Sequence, residues 1–306
     1  MRFSVSLPTD RMDRAGEFAT QKAVAEIASA AEGAGFDACF VTDHPFPPDR
    51  WLHGGGHHAM DPFVALSFAA AATERLRVQT HILVLPYRNP FLAAKSALSL
   101  DVLSGGRLIL GVAAGYQRGE FAALGADFDG REEVSDQAIR AMKAAWAADD
   151  VRFEGRGFHA SGNSMGFRPV QKPHPPIWVG GNSRSAIRRA VELGDGWVPF
   201  PNPAAMAKYT RTPTLETIDD LAARLTIARE HARAVGRTAP LDVCYSLYAS
   251  TSQSVDPAEA VDRVAALRAV GVTWLTVGFH RDTRRDVIAA MENFGRTVVA
   301  KERRSS

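Results

Sequence analysis

At 306 residues, 46% of them hydrophobic and 23% charged, the chain has the makeup of a packed globular protein, which excludes a disordered chain and a disulfide scaffold. Lys and Arg number 36 against 34 Asp and Glu, a formal net charge of +2, and no basic stripe is interleaved with aromatic residues, which argues against nucleic acid as a partner. The opening segment lacks a long apolar run with a cleavage site, and apolar runs elsewhere are too short or too interrupted to span a bilayer, so a cytoplasmic chain with no membrane contact is expected.

The first strand is expected over 3–7, followed by a helix over 21–34 whose Val24, Ile27, Ala28 and Ala31 share one face. Gly35 stops that helix, a second strand follows over 36–42, and Asp61-Pro62 opens a helix that runs to Thr73. A third strand over 76–85 is rich in β-branched and aliphatic residues, and Pro90 starts a helix that ends at the Ser104-Gly105-Gly106 turn. The fourth strand covers 107–112, and a helix over 132–146 leads into a glycine-bearing stretch over 151–168, read as an irregular or hairpin insertion. Strand five is 177–180, with a helix over 183–193. A short strand over 196–200, a helix over 215–235 and a strand over 241–247 continue the alternation. A helix over 257–270, a strand over 273–277 and a closing helix over 281–299 complete it, with a polar tail over 301–306. Eight strands, each followed by a helix or a helix-bearing segment, fit a closed parallel (β/α)8 TIM barrel with insertions better than an open sheet, and the whole chain reads as one domain. Cys39 and Cys244 both fall in strands, far apart in sequence, and read as small core residues rather than as a disulfide or part of a metal site.

In such a barrel, chemistry sits on the loops that follow the strands. Asp43 and His44 lie just beyond the second strand, where an imidazole can donate or accept a proton, or where the pair can simply pin a loop. His53, His57 and His58 lie in the glycine-rich stretch 51–60, but their spacing matches no familiar metal-ligand pattern, so a mobile loop and no metal are expected. Val179-Gly180-Gly181-Asn182-Ser183 runs from a strand straight into a helix. It reads either as a phosphate cradle at a helix N-terminus or as an ordinary tight turn with Ser183 as N-cap. Gly111 and Gly115 give a weaker version of the same signal, and Asp195-Gly196-Trp197 reads as a turn feeding a buried indole in preference to a pocket wall.

Taken in order, several segments resemble the luciferase-like monooxygenase superfamily, and in particular its branch dependent on the deazaflavin coenzyme F-420 (F420). They are Ala34-Gly35-Phe36-Asp37, Thr42-Asp43-His44, Asp61-Pro62-Phe63, Ala72-Thr73-Glu74-Arg75-Leu76-Arg77, Leu83-Val84-Leu85-Pro86-Tyr87-Arg88-Asn89-Pro90, Leu103-Ser104-Gly105-Gly106-Arg107-Leu108, Glu120-Phe121, Gly180-Gly181-Asn182-Ser183 and Asp195-Gly196-Trp197. The similarity is strong over roughly the first 200 residues and rests on barrel topology beyond them. It implies a luciferase-like barrel, with His44, Asp43 and Tyr116 as the catalytic candidates. It also implies a cofactor held by Asp43, His81, Ile82, Leu83, Gly115, Tyr116, Val179, Gly180, Gly181, Asn182 and Ser183. In the family the flavin-like ring lies over a bulge in the third strand that contains a non-proline cis peptide, which aligns with His81-Ile82, although His81 stands where members usually carry a small residue. Tyr116 stands where the family's sugar-phosphate dehydrogenases carry an acidic catalytic residue, which argues against that substrate class. The activity implied is hydride transfer between a small organic substrate and F420. The alternatives are a monooxygenase using reduced FMN, with a partner reductase, and a non-catalytic flavin-binding protein. A homodimer is also implied. The segments 45–60 and 201–214 should line the pocket.

Overall fold

Parallel strands can be joined only by long crossovers, so the alternation of short β-branched runs with capped helices already restricts the topology. In the computed structural model, which describes residues 1–248 and 257–304, the first four strands are β1 (Arg2–Ser6), β2 (Ala38–Val41), β3 (Arg77–Val84) and β4 (Leu108–Ala113). Next come β5 (Val151–Gly155) and β6 (Phe158–Asn163), an antiparallel hairpin outside the barrel, which is the expected insertion. The remaining strands are β7 (Ile177–Gly180), β8 (Gly196–Val198), β9 (Asp242–Ser246) and β10 (Trp274–Val277). The barrel closes in the order β1-β2-β3-β4-β7-β8-β9-β10, with every neighbouring pair parallel.

Side-chain caps set the helix starts. Asp61 and Asn89 accept main-chain N–H groups from the first turns of helices Pro62–Ala71 and Pro90–Leu103, each with proline at its first position. The helix expected from 215 begins instead at Ile218, because Thr217 and Asp220 form a reciprocal capping box. Upstream of it, an additional short helix, Ala204–Thr210, occupies part of the segment 201–214. The closing helix is divided into Arg284–Phe294, a π-helical turn Gly295–Val299 and Ala300–Arg304, while Ser305 and Ser306 lie outside the described residues.

Two apolar layers result. One lies between barrel and helices; the other fills the barrel with Ala38, Ile109, Trp178, Val198, Cys244 and Trp274, and Ile82 packs against it. Trp178 and Trp274 meet edge to face at 5.0 Å and 70°. Both cysteines are fully buried and unpaired, and burial pushes the Cys39 thiol up to about 12.

The third strand departs from regular pairing. Its register against β4 shifts between Thr80 and Leu83, and the His81-Ile82 peptide is cis, at the bond the alignment indicated. Two glycines accept this bulge: a Cβ at Gly111 would stand 2.2 Å from the Thr80 carbonyl oxygen, and one at Gly180 would stand 2.2 Å from Ile82 Cδ1. Gly111→Ala is therefore expected to destabilise the fold by about 1–3 kcal/mol, the usual cost of overpacking. Gly16→Ala, whose Cβ would meet nothing within 4 Å, serves as control. Equal denaturant midpoints for the two variants would show that the barrel yields at Gly111 without cost.

Candidate active site

The barrel's carboxyl-terminal face opens into a cavity of about 330 Å³, walled by residues that follow β2, β3, β4, β7 and β8. Its size falls in the ordinary range for a small-molecule or cofactor site. Among the expected residues, Asp43, His44, His81, Ile82, Gly115, Tyr116, Gly180, Gly181 and Ser183 line it. Leu83, Val179 and Asn182 do not. Successive strand residues point to opposite faces, so Leu83 and Val179 belong to the layer between barrel and helices, where both are fully buried.

His44 is the best-placed proton carrier. Its Nδ1 lies 3.1 Å from Glu120 Oε2, and the carboxylate of Glu120, itself fully buried, also accepts the Tyr87 hydroxyl at 3.1 Å and the Phe46 amide at 3.2 Å. With Nδ1–H directed at the carboxylate, neutral imidazole keeps its lone pair on Nε2. Burial and the adjacent Glu120 hold the Tyr87 phenol above its usual range, so it stays a donor to that carboxylate. The imidazole is further fixed by the Trp51 ring at 4.4 Å and the His57 ring at 4.9 Å.

Asp43 was expected to touch the cofactor, yet both its carboxylate oxygens are engaged elsewhere. Arg88 Nη1 and Nη2 bind them at 2.7 and 2.8 Å, and the Val84 amide donates at 2.9 Å. Asp43 thus ties the end of β2 to the end of β3 and sets the position of His44, its chain neighbour.

The glycine turn is similarly occupied. Gly181 N–H donates to Val198 O and its carbonyl accepts Trp197 Nε1–H at 2.9 Å, while its φ of +122° suits glycine. Asn182 is fully buried: its amide donates to Thr212 Oγ1, and its side chain exchanges hydrogen bonds with the Phe200 main chain. These contacts shape the turn and occupy the Gly181 and Asn182 amides. Ser183 and Ser185 line the cavity with hydroxyls 2.9 Å apart at the start of helix Arg184–Leu193, and among the described residues their amides and that of Arg184 have no protein acceptor. Ser183 is the N-cap of this helix, its oxygen accepting the Ala186 amide, as the tight-turn reading expects.

On the cavity floor His81 is partly exposed, its Nδ1 3.2 Å from Gln79 Nε2 and its ring 4.6 Å from that of Phe40. Burial pushes it down to about 4. Tyr116 lines the cavity with its ring 6.4 Å from that of His44, and burial raises its phenol to about 12 and keeps it protonated at neutral pH. His57, in the segment after the short helix Asp49–His53, lines the cavity against His44, and burial followed by the His44 charge lowers its pKa. Glu120, placed by the short helix Arg118–Ala123, was legible only as part of the Glu120-Phe121 motif; no strand end or helical period marks it. Among the described residues no group of three or more His, Cys, Asp or Glu side chains is arranged to hold a metal, and no helix is long and apolar enough to cross a membrane.

A closed parallel barrel with a bulged third strand carries, at one end of a single cavity, a His44–Glu120 pair and the Gly180–Ser183 strand-to-helix turn. The family model of luciferase-like monooxygenases matches residues 1–303, and the chain belongs to that family. It is 32% identical over 215 residues to an FMNH(2)-dependent dimethylsulfone monooxygenase of Pseudomonas putida, covering 69% of this chain and 55%, about half, of that relative. It is also 29% identical over 261 residues to an F420-dependent glucose-6-phosphate dehydrogenase of Amycolatopsis mediterranei, covering 78% of this chain and 75% of the other. Among solved structures, the monooxygenase RslO1 from Streptomyces bottropensis shares the fold, with a TM-score of 0.80 at 20% identity over 99% of this chain and 100% of the other.

His81 generates a pH prediction. Its folded pKa lies near 4 against 6.5 for the free side chain, so between these values the unfolded chain takes up the proton first. Stability should fall as pH drops from 6.5 toward 4 and level off below, with His81 contributing at most about 3 kcal/mol of that loss. His81→Gln should flatten this stretch of the profile in denaturant unfolding; an unchanged slope would assign the loss to other groups.

Proposed function

We propose that this chain is an oxidoreductase that transfers a hydride between a small organic substrate and F420, with His44 as proton donor or acceptor. The observation that carries the reading is the His44–Glu120 pair opening onto the same cavity as the β3 bulge and the Ser183–Ser185 hydroxyls. The residues present fit such a cofactor. Gly111 and Gly180 leave the room that the bulge occupies under a ring, and unpartnered amides at a helix N-terminus suit its phosphate. When bound, the coenzyme supplies the ring carbon that exchanges the hydride.

The protein's part is orientation and proton handling. Glu120 holds His44 Nδ1–H and so directs Nε2 toward the proton on the substrate's heteroatom. Tyr116, protonated, offers a hydrogen bond from beside His44, while Trp51 and His57 pack against the imidazole. Asp43 acts through Arg88 and Val84 as a positioning residue. Tyr116 in place of an acid still argues against sugar phosphates as substrates, although one relative is named for glucose-6-phosphate.

Titration with F420 and with FMN, followed by fluorescence quenching, tests the cofactor: F420 should bind in the micromolar range and FMN more weakly. Tighter FMN binding, with oxygen consumption in the presence of a flavin reductase, would replace this reading with the two-component monooxygenase, and binding without turnover of any substrate would favour the non-catalytic protein. With a substrate in hand, His44→Ala should lower kcat by about 10²–10⁴-fold, the usual worth of general acid–base catalysis, with cofactor affinity little changed. Glu120→Gln should cost about 10–100-fold, as expected when an orienting partner is lost. A near-normal kcat for His44→Ala across pH 6–8 would reduce the pair to a loop anchor.

A homodimer is part of the same proposal, supported by exposed Val64, Phe68, Leu92 and Leu103 on the packed outer helices Pro62–Ala71 and Pro90–Leu103. Light scattering should give twice the 33.1 kDa chain mass, and Leu103→Glu should shift it toward the monomer. A monomeric wild type would contradict the assignment.

A further inference from the structure

A second cavity, of about 460 Å³, lies at the opposite end of the barrel from the catalytic one, where Arg2, Arg77 and Trp274 open β1, β3 and β10. Four arginines line it, Arg2, Arg75, Arg77 and Arg303, against two carboxylates, Glu32 and Asp37. Both carboxylates are engaged. Glu32 accepts the main-chain amides of Glu74 and Arg75 at 3.0 Å and pairs with Arg75 at 3.6 Å, while Asp37 accepts the Phe3 amide at 2.9 Å and Arg303 at 3.2 Å. Of the four arginines, only Arg75 and Arg303 are in ion pairs among the described residues.

The other two cations are held but not neutralised. Arg2 lies over the Trp274 indole, its Cζ 5.3 Å from the ring centroid. Arg77 Nη2 donates to Gln171 Oε1 at 2.7 Å and to the Leu108 carbonyl at 3.3 Å, both neutral acceptors. Burial, and next the Arg2 charge, hold the Arg77 guanidinium below its usual range, against the opposing pull of Asp242 and Asp101. Two buried donors of the lining also lack an acceptor among the described residues: Arg77 Nε, and the indole Nε1–H of Trp274, a residue only 1% exposed. Buried donors nearly always find a partner, and a buried cation without a counter-ion is costly. This end of the barrel therefore holds charge and donors for an anion that the chain itself does not supply.

We propose that the amino-terminal mouth of the barrel is a separate anion site that takes a phosphate group, free or carried by a small organic molecule, between Arg2, Arg77 and Trp274. Guanidinium forks match phosphate oxygens, and donors arriving from three strands suit a tetrahedral group, whose oxygens point to several sides, better than a flat carboxylate. The site is independent of the catalytic cavity and of the cofactor reading, because the two cavities lie at opposite ends of the parallel strands. An anion that binds only the folded barrel raises its stability by mass action, which makes phosphate a stabilising effector there and not a substrate.

Indole N–H resonances test it, because the two ends of the barrel have separate reporters. Trp274 lines the proposed site, and Trp197 bonds to the Gly181 carbonyl beside the catalytic cavity; Trp274→Phe and Trp197→Phe assign their signals. Titration of the wild type with inorganic phosphate, and separately with glycerol phosphate, at constant ionic strength set by chloride, should shift the Trp274 resonance saturably. The tighter of the two ligands shows whether the free or the esterified form is preferred. Arg77→Gln and Arg2→Gln should each weaken this binding about tenfold or more, as expected when a charge-assisted hydrogen bond is lost, and Arg77→Lys should keep part of it. Should Arg77→Gln not fold, Arg2→Gln, at an exposed position, carries the same test. The denaturant midpoint should also rise with phosphate more in the wild type than in Arg2→Gln. A shift of Trp197 alone, a Trp274 shift that chloride reproduces, or unchanged affinity in both glutamine variants overturns the site.

Discussion

The site depends on one constraint: β3 must leave its register between Thr80 and Leu83 without opening the barrel. That is possible only because β4 and, beyond it, β7 carry a glycine where the bulge approaches. A methyl at Gly111 would collide with the Thr80 carbonyl, and one at Gly180 with Ile82. The same displacement turns His81 into the cavity while Ile82 stays packed against the indole-filled barrel interior. Floor and core are thus one structure, and a change in either is felt in the other.

The end of β2 shows how neighbouring residues divide the work. Asp43 anchors backward into a buried pair with Arg88 and the Val84 amide; His44 projects into the cavity and is held by Glu120. Removing one member of such a buried pair typically costs about 3–5 kcal/mol, because the partner's charge is left uncompensated. The imidazole is therefore supported from two sides: by backbone tied to β3, and by a carboxylate that Tyr87 and Phe46 also hold. The glycine turn follows the same rule, since Trp197, Val198 and Thr212 bind its main chain and leave the following serines to face the cavity.

Much of this was legible in the sequence. The strand-and-helix alternation could be read because Asp61, Asn89 and Ser183 mark helix starts with local chemistry, and His44 stood out because it follows a strand at the active face. What escaped depends on tertiary proximity. Leu83 and Val179 were placed one residue out of phase with the wall, since only the pleat decides which way a strand residue points. The sequence likewise does not show that Val198 and Thr212 engage the Gly181 and Asn182 amides. Glu120 lies on a helix too short to show a period, and Arg2, Arg77 and Trp274 come from three separate strands that only the folded chain brings to one cavity.

On the proposed function, one cavity holds a phosphate-bearing deazaflavin between the β3 bulge and the Ser183–Ser185 turn, within reach of His44. A crystal structure of the complex with F420 tests it most directly. The account predicts the ring against His81 and Ile82, the phosphate oxygens within hydrogen-bond distance of the Ser183 and Ser185 hydroxyls, and His44 Nε2 facing the reacting edge. A ring bound away from the bulge, or a phosphate held at another strand end, would contradict it.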